Sequence, residues 1–541
     1  MKVLLTALSA KHIHKSLAPW CLKAYCDTYV QGCQVTVQEH TVNDPIGGIV
    51  EELYLHRPDV VGFSCYIWNM EQTAKVAQIL KKYLPDCIIV LGGPEVSFEV
   101  DLNAHPYADY IVQGVGEQSF ASLLKDLIDG KHGPKTLIKS GDALDLNALP
   151  SPYSPDYYKS FAEGRMSSIQ NQLVYYESSR GCPFSCAYCL SSTFQGVQEL
   201  SLERVFADIT GFLEQGATCI KFVDRTFNAN RQRALEILRH IFGLETDCTF
   251  HFEVAADLFN PELLALIAAM PPGRVQFEIG IQSTTPITLA EIKRPMDVEG
   301  ALANIRTLVG FGNCHIHVDL IAGLPFDTPN SFAKSIDACI DVRPQMLQLG
   351  FLKLLKGTKL RENSSGYGYV FNDFPPYEVF QSRDMSFADL IKLRGIEAVI
   401  DKFYNSGAFV NAINYAIDTV FGGAYAFFDA LADCCAGANL RMSPKNAYTL
   451  LWQFLCKHGD RVAAEHHIKL DCLTFHTRGV LPDEIPVHRD KGAEQDFRRS
   501  VQPWYSNVRI EFFEYDKKTR AFVYDEKDEM TQAHKVVVLM E

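Results

Sequence analysis

The sequence predicts an α/β protein: a doubly wound parallel sheet, then a partial (β/α)6 barrel, then a mostly helical region with a short β-hairpin. Three observations carry this prediction. Short apolar runs alternate with helix-length amphipathic stretches over residues 1 to about 130. The same alternation resumes near residue 170 and continues to Phe351. Beyond residue 371 the strand-length runs give way to helical ones. Strands that alternate with helices mark βαβ units, which build parallel sheets with helices on their faces.

In residues 1–135 strands are expected at Val3–Leu8, Gln34–Glu39, Val60–Ser64, Cys87–Leu91 and Tyr110–Val112. Helices are expected at Leu17–Gln31, Gly48–His56, Glu71–Leu84 and Glu117–Ile128. Ligands of such sheets bind beyond the carboxyl ends of the strands. Residues 136–169 read as a linker, on the turn signals Gly133-Pro134, Gly141-Asp142, Pro150-Ser151-Pro152 and Ser154-Pro155. In residues 170–370 the strands Leu173–Glu177, Cys219–Asp224, Thr249–Val254, Arg274–Ile281, His315–Ile321 and Met346–Phe351 alternate with five helices. That series makes a partial barrel, whose chemistry belongs at the carboxyl ends of its strands. Residues 371–541 are expected to hold helices at Met385–Phe403, Ala412–Asp433 and Pro444–His458. A terminal hairpin, Val508–Tyr515 with Phe522–Tyr524, turns at Asp516-Lys517-Lys518.

Composition bounds the function. Lys plus Arg is 51 against 65 for Asp plus Glu, a net charge of -14 over 541 residues. Such a chain has no global attraction for nucleic acid or an anionic membrane surface. The start, MKVLLTALSAKHIHK, is charged too early for a signal peptide and reads as a first buried strand. The apolar stretch Ala412–Ala436 is interrupted by Asp418, Asp429 and Asp433, so it does not suit a membrane span. A cytoplasmic location is expected. Of the 16 cysteines, Cys65, Cys87, Cys219 and Cys248 sit singly in apolar runs and read as small buried hydrophobes.

One cysteine group is different. After the first barrel strand comes Arg180-Gly181-Cys182-Pro183-Phe184-Ser185-Cys186-Ala187-Tyr188-Cys189. Three thiolates on a loop broken by Gly and Pro can converge on one metal centre. Four would fill a 4Fe–4S cluster; three leave one iron open to a substrate or cofactor. A structural zinc site needs a fourth ligand, and no His or Cys comes after Cys189 until Cys219.

This loop resembles the signature of the radical S-adenosylmethionine (SAM) superfamily. The resemblance implies that the open iron binds SAM and that the reduced cluster cleaves it to a 5′-deoxyadenosyl radical. It implies that Tyr188 lies near adenine. Further residues resemble the family's SAM contacts at successive strands: Asp224 and Thr226, Glu253, Gln282 with Arg294, Asp319 for the ribose, and Gly323 beside adenine. The glycine pair usual after the second strand is absent here.

The first domain is similar to the Rossmann-like cobalamin-binding domains that precede some of these TIM-like partial barrels. Gly62-Phe63-Ser64-Cys65-Tyr66, Leu91-Gly92-Gly93-Pro94-Glu95 and Gln113-Gly114-Val115-Gly116-Glu117 carry this similarity. It implies cofactor contacts from Ser64, Gly92, Gly93, Gly114, Gly116 and Glu117. The D-x-H-x-x-G motif that supplies a cobalt-ligating histidine elsewhere is missing, and His12 and His14 come after the first strand.

Leu352–Thr358 and Pro375–Glu378 resemble the tail of the same family, and the remainder of the chain looks like a subgroup-specific extension. There Tyr415, Phe421, Tyr425, Phe427 and Phe428 suit a helix–helix core better than a pocket. The resemblance implies methyl transfer to an unactivated carbon of a small-molecule substrate. The electron donor would be a flavodoxin or ferredoxin. The alternatives are a cobalamin-assisted oxidation, cyclisation or rearrangement, and methylthiotransferase-like chemistry without cobalamin.

Overall fold

The computed structural model describes the chain except residues 132, 134, 141–144, 164–167, 195, 502–504, 529 and 540–541. The expected turns at Pro134 and Gly141-Asp142 lie outside the described residues. The chain divides into two compact units. One comprises Met1–Phe259, Ala290–Pro295 and Phe351–Arg383; the other comprises Asn260–Leu289, Met296–Gly350 and Asp384–Glu541.

The first unit opens with six parallel strands: β1 (Lys2–Ser9), β2 (Gln34–Thr41), β3 (Val60–Ser64), β4 (Ile88–Gly92), β5 (Tyr110–Gln113) and β6 (Thr136–Lys139). Their order is β2-β1-β3-β4-β5-β6. Alternate residues supply two separate cores. Leu4, Leu8, Val61, Phe63 and Leu91 join Ile49, Leu53, Val76 and Leu80 from helices Ile46–Leu55 and Met70–Tyr83. Val3, Leu5, Val60, Val90 and Val112 join Cys26, Phe120 and Leu124 from helices Leu17–Tyr29 and Gly116–Ile128. A period of two with both faces apolar is the doubly wound pattern. The winding reverses between β1 and β3, and a crevice opens at such a switch point.

The linker expectation needs correction. β6 adds a sixth strand beside β5, and a helix spans Pro155–Glu163. β6 is a four-residue edge strand with no fully buried side chain, too short for a readable period. The helix is anchored by buried Tyr157 and Phe161, with the Trp20 ring edge-on to Tyr157 at 5.4 Å.

Next come β7 (Val174–Tyr176), the short antiparallel pair β8 (Ser179–Gly181) and β9 (Val197–Glu199), then β10 (Cys219–Phe222), β11 (Thr249–Val254), β12 (Val275–Gln282), β13 (Cys314–Ala322) and β14 (Met346–Phe351). Except for the β8–β9 pair they form the second six-stranded parallel sheet. The helices between them begin at polar caps. Ser201, Asn230, Asn260, Asp297 and Thr328 each accept a hydrogen bond from a backbone N–H three residues on. Each cap satisfies a donor that the helix itself leaves unpaired. On β12 the buried residues Val275, Phe277, Ile279 and Ile281 alternate with the half-buried Glu278, Gly280 and Gln282. One face of that strand is therefore core and the other is polar.

β15 (Val370–Phe371) and β16 (Val379–Gln381) form a small antiparallel pair. The C-terminal region is mostly helical, with helices at Phe387–Val399, Val410–Tyr415, Ala424–Cys434, Pro444–His458, Arg461–Phe475 and Lys491–Val501. The single helix expected over 412–433 is broken by a π-helical turn, Ala416–Phe421, and by left-handed Gly422. The terminal hairpin is a three-stranded antiparallel sheet of β17 (Val508–Phe513), β18 (Lys518–Lys527) and β19 (His534–Leu539). Tyr415, Phe427 and Phe428 are buried, and Phe421 stacks on Phe454 at 5.7 Å, so these aromatics form core. Among the described residues no helix is long and apolar enough to cross a membrane.

His466 gives this region a pH response. Its ring is buried against Phe513 and Tyr515 at 5.2 and 5.0 Å. Burial first, then His467, pushes its imidazole down to about 4 from 6.5. The unfolded chain therefore takes up this proton first. The associated stability is complete above about pH 6.5 and is lost as pH falls through 4, about 3 kcal/mol in all. His466→Phe is expected to flatten the fall in denaturation midpoint over that interval. An unchanged slope would show that His466 is not responsible.

Candidate active site

The cysteine loop leaves β7 through a buried clamp. The Asp224 carboxylate, 2% exposed, accepts from Ser178 N (2.8 Å), Ser178 Oγ (2.5 Å) and Ser179 N (2.9 Å). Burial pushes this carboxyl up to about 6. The loop's own groups donate to both of its oxygens, so Asp224 clamps the start of the cysteine loop. Gly181 comes next with φ +103°, and a Cβ there would come within 2.1 Å of Gly196 O, so only glycine fits.

The loop is pinned on two sides: Ala187 N–H donates to Ile292 O at 2.8 Å, and Leu360 N–H donates to Ala187 O at 3.0 Å. Cys186 is buried, while Cys182 and Cys189 are half-buried. Each sulfur meets a polar partner. Arg294 Nη1 donates to Cys186 Sγ at 3.7 Å, Ser191 N–H donates to Cys189 Sγ at 3.4 Å, and Thr226 Oγ1 lies 3.6 Å from Cys182 Sγ. Burial pushes the Cys186 thiol up, and Arg294 opposes it. Tyr188 neighbours both Cys186 and Arg294. At Cys186 the Arg294 guanidinium favours the thiolate, the form that binds metal, against the effect of burial.

Within the first unit a cavity of about 750 Å³ opens at the carboxyl ends of β1, β3, β4 and β5. Ser64, Gly92, Gly93, Gly114, Gly116 and Glu117 all line it, as do the stacked rings of Tyr66 and Trp68. Gly181, just before Cys182, and Leu190 and Ser191, just after Cys189, line the same cavity. Its volume lies in the range of cofactor sites. Gly93 is needed for the wall itself: φ is +110°, and a Cβ would meet Cys65 O at 2.6 Å.

Sequence reasoning missed two charged ties. Arg180 Nη2 bridges Glu117 Oε1 (2.9 Å) and Glu177 Oε2 (2.7 Å). The Glu117 carboxylate thus joins the first domain to the start of the cysteine loop. Buried Glu95 meets Lys356 Nζ at 2.9 Å and accepts from Tyr377 Oη. That tie holds the turn carrying Ser97 and Phe98, both in the cavity wall. The local pair Glu177-x-x-Arg180 was readable as a salt bridge, but its link to Glu117 required the fold. His14 also lines the cavity, with Nδ1 2.7 Å from Tyr175 Oη. His12 instead lies 3.8 Å from Asp44.

Half-buried Glu253 is on β11 in the first unit. The second unit holds Gln282, Asp319 and Gly323. Gln282 ends β12 at a register shift, with φ +69°. Its Oε1 is buried and, among the described residues, has no hydrogen-bond partner. Backbone strain and an unsatisfied buried amide are both features that functional positions carry. Asp319 Oδ1 lies 3.0 Å from His317 Nε2, and these two gather with Glu278. Gly323 is buried just past β13.

A parallel-sheet domain whose cofactor-sized cavity reaches a three-cysteine loop defines an α/β protein built to hold a cofactor beside a metal-binding motif. Comparison with known proteins agrees. Residues 3–124 match the B12 binding domain, 176–339 the radical SAM superfamily, and 365–535 a protein family of unknown function, DUF4080. The chain is 29% identical over 321 residues to a 2-(S-pantetheinyl)-carbapenam-3-carboxylate methyltransferase of Streptantibioticus cattleyicolor, covering 52% of this chain and 45% of that one. It is 28% identical over 334 residues to the cobalamin-dependent radical SAM methyltransferase TokK of Streptomyces tokunonensis, covering 56% and 46%. The chain thus spans about half the length of these relatives. The structure of the cobalamin-dependent SAM radical enzyme OxsB with aqua-cobalamin shares the fold, at TM-score 0.59 and 15% identity over 92% of this chain and 75% of that one. The chain thus carries a B12-binding match over residues 3–124 ahead of a radical SAM match over 176–339, and the second holds the cysteine motif.

Proposed function

We propose that the chain is a cobalamin-dependent radical SAM methyltransferase that methylates an unactivated carbon of a small-molecule substrate. One observation carries this reading: a single cavity is lined both by the glycine turns of the first domain and by the residues flanking Cys182 and Cys189. When bound, the cluster supplies the electron that cleaves SAM, and cobalamin relays the methyl group.

The chain's own residues hold and shield these groups. Cys182, Cys186 and Cys189 bind iron, and Arg294 offsets the charge at Cys186. Ser64, Gly92, Gly93, Gly114 and Gly116 border the corrin, with Glu117 acting through Arg180. Tyr188, Thr226, Glu253, Gln282, Asp319 and Gly323 serve SAM. Sixteen free cysteines and an oxidisable cluster suit the reducing cytoplasm, with a flavodoxin or ferredoxin as donor.

Gln282→Gly is expected to relieve about 1 kcal/mol of backbone strain while weakening SAM binding roughly tenfold through the lost amide. Denaturation and SAM titration together check this. Unchanged SAM affinity would assign Gln282 to structure.

The reading is tested with anaerobic, cluster-loaded, corrin-loaded protein, reductant and SAM. It expects both 5′-deoxyadenosine and S-adenosylhomocysteine, the products of radical cleavage and of methyl donation. Formation of 5′-deoxyadenosine alone would exclude methyl transfer.

A further inference from the structure

This inference rests on the cobalamin reading and concerns what the protein offers to the metal. The segment between β1 and helix Leu17–Tyr29 contributes Ser9, Ala10, His14 and Lys15 to the cavity wall. It is a held segment. Ile13 O accepts from Leu173 N at 3.1 Å, and His14 N–H donates to Lys11 O at 3.1 Å. Lys15 Nζ donates to Glu39 Oε2 at 2.6 Å and to Ser160 Oγ at 2.7 Å.

His14 is the histidine in that wall. Its ring hydrogen bond engages Nδ1, through the Tyr175 hydroxyl at 2.7 Å, and among the described residues Nε2 has no such partner. Tyr175 lines the same cavity from β7. An imidazole with one nitrogen oriented by a second side chain and the other left for a cofactor is how metal-binding histidines are built. A merely polar loop residue would not need that orienting hydroxyl.

We propose that His14 binds the corrin cobalt through Nε2, with Tyr175 as the positioning residue at Nδ1. Ligation selects the tautomer in which Nδ1–H donates to the Tyr175 oxygen and Nε2 keeps its lone pair. The chain thereby replaces the missing D-x-H-x-x-G histidine with one fixed by the barrel's first strand.

The test is paramagnetic resonance of the full chain loaded anaerobically with cob(II)alamin, made with ordinary or with ¹⁵N-labelled histidine. The proposal expects the cobalt lines to be split into triplets by one nitrogen in ordinary protein and into doublets in labelled protein. His14→Ala should lose the splitting. Tyr175→Phe should keep it while weakening corrin retention about tenfold. Triplets that persist in labelled protein would assign the nitrogen to the cofactor's own base and overturn the proposal. So would the absence of any nitrogen splitting, or doublets that survive His14→Ala. The labelled, unsubstituted protein carries the test even if His14→Ala retains no corrin. Failure of the unsubstituted protein to retain corrin would overturn the cobalamin reading, and this proposal with it.

Discussion

Alanine at Cys182, Cys186 or Cys189 is expected to drop iron from about four to below one per chain and to abolish SAM cleavage. In the proposed reading Cys182, Cys186 and Cys189 hold the cluster, so losing one leaves two thiolates for four irons. The partners at sulfur, Arg294, Ser191 and Thr226, remain but have no thiolate to stabilise at the lost position. The contrast lies with the core cysteines. Serine at Cys65, Cys87 or Cys248, each buried, should leave iron unchanged and cost about 1–3 kcal/mol for a buried hydroxyl. Iron analysis and denaturation of the two sets check this. Retention of a full cluster by any loop variant would remove that cysteine from the ligand set.

Asp224→Ala is expected to loosen the cluster without removing any ligand. The substitution strands two backbone N–H groups and the Ser178 hydroxyl in a site where Asp224 is 2% exposed. Each stranded group costs about 1–3 kcal/mol, so the three together cost about 3 kcal/mol or more. The strand-to-loop junction would relax, and iron should leave to a chelator faster. Asp224→Asn keeps one acceptor oxygen and should fall between. If Asp224 touched SAM instead, SAM affinity would drop at unchanged stability and iron release, and the clamp would be wrong.

The sequence made legible what depends on local periodicity or spacing. Alternating runs marked both sheets, because residues such as Leu4, Val61 and Leu91 point to the opposite face from their chain neighbours Val3, Val60 and Val90. The cysteine loop was legible because its three sulfurs fall within eight residues. The four-residue edge strand β6 was not, since half-buried side chains leave no period to read. β19, at the far end of the chain, pairs with β18 only through tertiary structure. The site's long-range ties were closed to sequence for the same reason. Arg294 reaches Cys186 across 108 residues, and Tyr377 reaches Glu95 across 282. The clamp at Asp224 was closed to sequence because a strand-end carboxylate serves a ligand or a loop equally well by spacing, and its burial and three donors appear only in the fold.

In the proposed reading one cavity joins cobalamin to the cysteine loop. Its most direct test is to reconstitute the cluster anaerobically, offer hydroxocobalamin, remove the excess, and measure iron and corrin absorbance per chain. About four irons and about one retained corrin per chain are expected. A full cluster with no corrin would contradict that reading, leaving a radical SAM protein whose first domain serves recognition.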